Sequence, residues 1–274
     1  MQFTLNGNKK EYTGDPELSL LTYLREHEGI TSPKDGCAPQ AACGCCVVEL
    51  NGKGVLSCAI PMKKVEGGDV TTIEGIGEYR QRVFANAFIE KSGVQCGFCI
   101  PGIVMQAKVL IDTNPSPTRG EVEHAINLNL CRCTGYKKIV DSILYAADAI
   151  KELKEIPIPN TDGKVGKRHP KYNAANLVLG KSPFVADMQL DGMVYGALKF
   201  SDHPRAKVLS INFQNAEKLS GVLKVFTAKD IPGNRYSGLI ISDWPLMIDV
   251  GEETRYVGDV IAGVVAGTES IARE

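Results

Sequence analysis

The 274-residue chain has no apolar run approaching the ~18 residues of a membrane-spanning helix. Its start, MQFTLNGNKK, lacks the apolar stretch of a secretory signal, so a cytoplasmic location is expected. Charge of one sign is also missing. The 31 Lys and Arg stand against 32 Asp and Glu, a net charge of −1, which removes the basic footprint of a nucleic-acid binder. No Gly-x4-Gly-Lys-Ser/Thr loop occurs. Gly75-Ile76-Gly77 lacks the later glycine and the strand–helix setting of a dinucleotide fingerprint, and is expected to be a domain hinge. Without Gly-x-Ser-x-Gly, serine-esterase chemistry has no support. The four histidines are far apart and show no metal-pair spacing; His27 and His124 fall on expected helices, as surface or hydrogen-bonded residues. No internal repeat or low-complexity tract is present.

What remains is an ordinary globular composition, 43% hydrophobic and 23% charged, of a length suited to two or three domains. Against that background the nine cysteines stand out. An odd count without an export signal points away from disulfides and toward metal ligands or catalytic thiols.

The first 60 residues suggest a small ferredoxin-like α+β unit. FTL and KEYT flank a turn at Asn6-Gly7-Asn8, and VVEL and VLSC flank NGKG, so two hairpins are expected. Between them, Asp15 as cap, Pro16 at the first position and Gly29 at the end predict a helix carrying Leu18, Leu21 and Leu24. From Tyr79 to about Leu153 the pattern becomes helical: YRQRVFANAFIEKSG, PGIVMQAKVLIDT, TRGEVEHAINLNL and YKKIVDSILYAADAIKELK predict a bundle of four helices. Residues 155–170 carry three prolines and two glycines with little apolar periodicity, and are expected to be a linker. Strands are expected at FVADMQL, MVYGALKF, AKVLSINF, GVLKVFTA and VIAGVVAG. The chain then stops at TESIARE, a helix capped by Thr268 but under two turns long, marginal unless something packs on it. The expectation is that the natural protein continues, or that this is a fragment or one piece of a split system.

The cysteines fall into two groups. Cys37, Cys43 and Cys46 share one loop with the spacing Cys-x5-Cys-x2-Cys, and Cys58 follows the second hairpin. Plant-type [2Fe–2S] loops use Cys-x4-Cys-x2-Cys with a distant fourth cysteine; this loop has one residue more. Gly36 and Gly44 are expected to let backbone amides approach the sulfurs. Cys96 and Cys99 precede one helix, and Cys131 and Cys133 follow the next. Two antiparallel legs of ~12 residues, ~18 Å each, return the chain to its starting point, so these four sulfurs should converge at one end of the bundle. Zinc also takes four thiolates, but Cys131-x-Cys133 is tighter than a zinc knuckle, which favours iron–sulfur. A dithiol redox motif at CGFC would need a βαβ setting rather than helical flanks. Cys45 is expected to point away as a structural thiol, with substitution for Cys46 as the alternative.

GCAPQAACGCCVVELNGKGVLSC, VQCGFCIPG and LCRCTGYKKIVDSI together resemble the molybdenum hydroxylases, the xanthine dehydrogenase and aldehyde oxidoreductase family, over residues 1 to about 153. GVLKVFTAKDIPG, YVGDVIAGVVAG and the final ARE resemble that family's α/β hammerhead module. The extra loop residue resembles a subgroup labelled selenium-dependent xanthine dehydrogenase. The resemblance implies an α+β chain with a plant-type ferredoxin-like (β-grasp) domain at 1–77, a four-helix [2Fe–2S] bundle at 78–154, a linker at 155–171 and a truncated hammerhead at 172–274. It implies two [2Fe–2S] clusters, one on Cys37, Cys43, Cys46 and Cys58 nearer the surface, the other on Cys96, Cys99, Cys131 and Cys133 nearer a molybdopterin, with Gln95 and Cys133 beside the pterin. Gln95 has a plain alternative as a polar helix-end residue. The family's flavin domain has no room between bundle and hammerhead, so FAD would sit on a separate subunit or be absent.

The resulting expectation is the electron-transfer portion of an oxidoreductase that hydroxylates a purine-like heterocycle or an aldehyde. Its partners would be the remaining molybdenum-binding domains or subunit and a flavin subunit or soluble acceptor, in an oligomer. The alternatives are a stand-alone iron–sulfur carrier and a non-catalytic zinc protein with four-cysteine sites.

Overall fold

The computed structural model describes residues 1–158, 162–167 and 169–274. It divides into two compact units, Met1–Met188 and Gln189–Glu274.

The first unit begins with β1 (Gln2–Leu5) and β2 (Asn8–Glu11), antiparallel through Asn6-Gly7, where φ is +50° and +79°. Asn and Gly are the residues that tolerate both positive values. β1 alternates, burying Phe3 and Leu5. The helix expected from Asp15 starts later. Asp15 instead accepts the Glu17 amide, and Ser19 caps α1 (Leu20–Thr22), which continues as a π-helical turn over Tyr23–His27. The reason is tertiary: Leu20 N donates to Ile60 O, while Met62 N and Lys63 N donate to Leu18 O and Pro16 O, so residues 16–20 are drawn out against 60–63. Gly29 does follow the helix end, at φ +67°.

β3 (Val47–Leu50) and β4 (Lys53–Leu56) form the second hairpin. The sheet is completed by β5 (Asp69–Thr71), parallel to β1 and antiparallel to β3, giving the order β2-β1-β5-β3-β4. Leu20, Tyr23 and Leu24 pack under it against Phe3, Leu5, Val48, Met62 and Val70.

The four helices form as the pattern predicts, with the third shorter: α2 (Glu78–Glu90), α3 (Ile100–Thr113), α4 (Arg119–Ala125) and α5 (Tyr136–Lys151). Pro101 occupies the first turn of α3, where its missing N–H costs nothing. Thr118 and Glu121 make a reciprocal capping box at α4. Phe84, Phe88, Ile103, Ala107, Ile139 and Ile143 fill the core, and Cys43, Cys45 and Val47 join it from the neighbouring domain. Ile76, inside the expected hinge, and Ile73, just before it, are buried in the same core, and Gln81 Nε2 donates to Ile73 O and Glu74 O.

The expected linker starts packed: Ile156 is buried and its carbonyl accepts from Asn86 Nδ2 at 2.7 Å. Residues 159–161 and 168 of that linker lie outside the described residues. α6 (Ala174–Val178) then packs on α2 and α3. FVADMQL is not a strand. Val185–Asp187 forms a helical turn in which the Asp187 carboxylate accepts the Phe184 amide and binds Lys34 and Arg25. A strand there would have to release that carboxylate.

The second unit holds β6 (Tyr195–Phe200), α7 (Gln214–Lys218), β7 (Val222–Phe226), the short pair β8 (Tyr236–Ser237) and β9 (Trp244–Pro245), β10 (Val260–Ala266) and α8 (Glu269–Arg273). β10 is central and antiparallel to both β6 and β7. AKVLSINF forms no strand; only a Lys207–Glu253 bridge marks it, because the central strand's two edges are already taken by β6 and β7. Thr268 caps α8, accepting from Ile271 N.

Candidate metal centres

The first cysteine loop enters after Pro33 and turns through Ala38, Ala41 and Gly44, all at positive φ (+59°, +53° and +66°). Those kinks aim successive amides inward, an anion-binding nest. Ala42, Gln40 and Cys43 donate backbone N–H to the Cys37 sulfur, Cys45 N donates to Cys43, and Ala41 N donates to Cys58. The Gln40 contact measures 3.2 Å. The thiols themselves meet in pairs, Cys37 with Cys43 and Cys46 with Cys58. Burial raises the Cys37 thiol, but its three amides outweigh it and hold it below its ordinary value. Burial raises Cys43, and burial with the neighbouring Cys46 pushes Cys58 up to about 12.

A Cβ on Gly36 would fall 3.0 Å from Cys43 Sγ, so that glycine makes room at the sulfurs as expected. Gly44 serves differently: its Cβ would fall 2.6 Å from Leu128 O, so its close approach is to the bundle. Cys45 does not point away from the set: its buried thiol adjoins that of Cys43, with its Sγ 3.7 Å from Cys43 O and 3.9 Å from Leu130 O, and burial drives it up.

The second set gathers at one end of the bundle. Cys99 and Cys131 are buried and adjoin, while Cys96 pairs with Cys133 nearer the surface. All four line one small cavity with Gly97 and Ile139. Phe98 N donates to Cys96, and Cys96 N donates to Cys133. That amide and the Cys96 thiol hold Cys133 below its ordinary value, whereas burial pushes Cys96 and Cys99 up. Gln95 is exposed at the rim, its Nε2 donating to Cys133 O at 3.3 Å.

Among the described residues no three His, Cys, Asp or Glu side chains close up as they would around one ion. Eight of the thiols gather instead in two sets, Cys37 against Cys43 and Cys46 against Cys58 in one, and Cys133 against both Cys96 and Cys131, with Cys99 against Cys131, in the other. Zinc would draw four sulfurs into one tetrahedron at ~2.3 Å from the metal. A two-iron cluster takes four thiolates, two per iron, a number each set can supply, and the inward amides suit its negative charge. The donor set therefore fits a [2Fe–2S] cluster at each site.

Sequence reasoning missed the amides of Gln40, Ala41 and Ala42, which side-chain identity does not report, and it missed Asn129 and Tyr136. Tyr136 Oη accepts from Cys131 N at 2.7 Å and donates to Asn129 O at 3.0 Å. His27 is exposed, as expected, and stacks on Tyr23 with ring centroids 5.7 Å apart.

Comparison with known proteins gives three domain matches. Residues 3–68 match the family described as 2Fe-2S iron-sulfur cluster binding domain, and 72–144 match the [2Fe-2S] binding domain. Residues 179–274 match the a/b hammerhead domain of aldehyde oxidase and xanthine dehydrogenase. The aldehyde oxidoreductase of Megalodesulfovibrio gigas is 37% identical over 98% of this chain, which spans only 32% of that protein. The nicotinate dehydrogenase small FeS subunit of Eubacterium barkeri is 39% identical over 54% of this chain and 94% of its own length. The solved aldehyde oxidoreductase of Desulfovibrio desulfuricans superposes with a TM-score of 0.89 at 35% identity, over 99% of this chain and 32% of that one.

Proposed function

Because this chain belongs to the molybdenum hydroxylase family, we propose that it is the electron-transfer portion of such an enzyme, with Cys37, Cys43, Cys46 and Cys58 holding one [2Fe–2S] cluster and Cys96, Cys99, Cys131 and Cys133 holding the other. The observation that carries this reading is the gathering of eight thiols into two amide-lined sets. Matches to two iron–sulfur domain families favour iron over zinc. When bound, each cluster would take up and release one electron without bond making or proton transfer. The chain's own residues supply the thiolates, donate N–H to the reduced, more negative sulfurs, and exclude water from Cys43, Cys46, Cys99 and Cys131.

The reading extends to the whole enzyme. A molybdopterin centre on further domains or a separate subunit would perform the hydroxylation with oxygen from water, and Gln95 and Cys133 would face it. The substrate would be an aldehyde, as the name of the M. gigas relative suggests, or a purine-like heterocycle, as that of the Dictyostelium discoideum xanthine dehydrogenase suggests. The acceptor would be a flavin subunit or a soluble protein, since small FeS subunits of separate-subunit enzymes match the first half of this chain. The assembly would be oligomeric. Among the described residues no helix is long and apolar enough to cross a membrane, and nine unbridged cysteines suit a reducing, cytoplasmic location.

The test is anaerobic purification followed by visible absorption and low-temperature EPR of the dithionite-reduced chain. Two distinguishable [2Fe–2S] signals are expected, and Cys131→Ser should remove one and leave the other. A colourless, zinc-loaded protein, or survival of both signals in Cys131→Ser, overturns the ligand assignment.

A further inference from the structure

The two cysteine loops meet through backbone rather than through thiols. Leu130 N, one residue before Cys131, donates to Cys43 O at 2.8 Å. Beside it Asn129 Nδ2 donates to Gly44 O, also at 2.8 Å. Asn129 is buried, 3% exposed, and its own carbonyl is held by Tyr136 Oη, which in turn takes the Cys131 amide. The approach admits no side chain on the facing loop. A Cβ on Gly44 would sit 2.6 Å from Leu128 O, and one on Gly102 2.6 Å from Gly44 O. The Gly44 peptide is thus gripped between the start of α3 and the segment 128–131.

Asn129 is itself no member of either thiol set. Its side chain spends a buried donor on a backbone carbonyl of the other domain, a placement that costs free energy unless the bond is made. We propose that Asn129 is a positioning residue that clasps the two cysteine loops together, so that the Cys43 O···H–N Leu130 hydrogen bond becomes a fixed electronic connection between the two thiol sets. The inference rests on the reading of those sets as ligands of two clusters. From Cys43 the route runs along its own backbone to the carbonyl, across one hydrogen bond, and through the Leu130 backbone to Cys131. An electron crossing leaves one centre oxidised by one equivalent and the other reduced by one, with no proton moved and no bond broken. Removing the clasp should loosen the crossing while leaving each set of thiols intact.

The experiment uses the full chain, purified anaerobically with its iron. In the wild type with both centres reduced, their signals should show splitting from spin coupling across the seam. Asn129→Asp keeps the shape but turns an oxygen toward Gly44 O. It should retain iron and both reduced signals while the splitting is lost. Asn129→Ser guards against a fold failure of the first and should show the same loss at unchanged iron content. Tyr136→Phe serves as the contrast: it frees the Cys131 amide and the Asn129 carbonyl but leaves Asn129 Nδ2 on Gly44 O, so it should shift the second centre's potential with the splitting retained. Full splitting in any folded, iron-replete Asn129 variant overturns the clasp. A wild type lacking iron, or giving one signal, instead sinks the cluster reading on which the clasp depends.

Discussion

Lys34 Nζ lies 2.5 Å from the Asp187 carboxylate, and both side chains are only 2% exposed. These residues are 153 positions apart, and their contact ties the segment after the bundle to the stretch of chain that leads into the first cysteine loop. Arg25 Nη2 adds a second cation at 2.7 Å, and Phe184 N a backbone donor at 2.9 Å. Burial alone would raise the Asp187 pKa, but Lys34, the Phe184 amide and Arg25 outweigh it and hold the carboxyl below its usual range.

Removing one partner of a buried pair strands the other, which typically costs ~3–5 kcal/mol. Asp187→Ala should therefore lower unfolding stability by about that amount, measured by chemical denaturation of the full chain followed by circular dichroism. The pH dependence has a definite sign. Because the folded pKa is depressed, the Asp187 contribution is fully present above the ordinary carboxylate value of ~3.9 and is lost as pH falls below it. Asp187→Ala should flatten that part of the acid limb. An unchanged acid profile in the variant would count against the pair.

Ala41 is held at φ +53° and donates its amide to Cys58. A left-handed conformation costs a non-glycine residue ~1–2 kcal/mol, and part of that strain is what turns the amide toward sulfur. Ala41→Gly should keep the donation and raise melting stability by up to ~1 kcal/mol, whereas β-branched Ala41→Val should lower it and speed loss of the first cluster's absorbance on dilution. Equal cluster retention in both variants would show that the kink does not hold the sulfur cradle.

The hairpins and bundle helices were legible because their signals are local: Asn6-Gly7 sets a turn, and Phe84, Phe88, Ile139 and Ile143 recur at helical spacing. β5 was not legible. It is three residues long, and it is a strand only because β1 and β3 pair with it from both sides. The start of α1 failed for the opposite reason. Asp15 and Pro16 form a good local start, but hydrogen bonds from residues 60–63 pull that stretch straight. At the candidate centres, cysteine spacing reports which sulfurs share a loop, and the out-and-back path between Cys99 and Cys131 reports which return together, although α4 has 7 residues against 14 in α3. The donors to those sulfurs are peptide N–H groups of alanines, a glutamine, a phenylalanine and the cysteines themselves, and no residue type announces them. Asn129 is hidden in the same way, since its partner is the Gly44 carbonyl rather than a side chain.

In the second unit Glu252 gathers four donors. Arg235 Nη1 and Nη2 approach at 2.6 and 2.5 Å, Tyr236 Oη at 3.1 Å and Asp249 N at 2.8 Å. Hydrogen bonding from Arg235 is the main reason its carboxyl is held down to about 2. The group is partly open to water, so screening reduces what this contributes to ~1–2 kcal/mol. Since the folded pKa is depressed, that contribution is complete at neutral pH and disappears as pH falls from ~4.3 through about 2. Glu252→Gln keeps one acceptor but removes the charge facing Arg235. It should destabilise the second unit at pH 7 by ~1–2 kcal/mol and have a much smaller effect near pH 2, where the wild-type carboxyl is itself about half protonated. Hydrogen exchange at the amides of β10, whose Val260 O accepts from Ile248 N close to this network, reads the second unit separately from the first. A Glu252→Gln effect of the same size at pH 7 and pH 2 would mean that the charge is not what holds Arg235 in place.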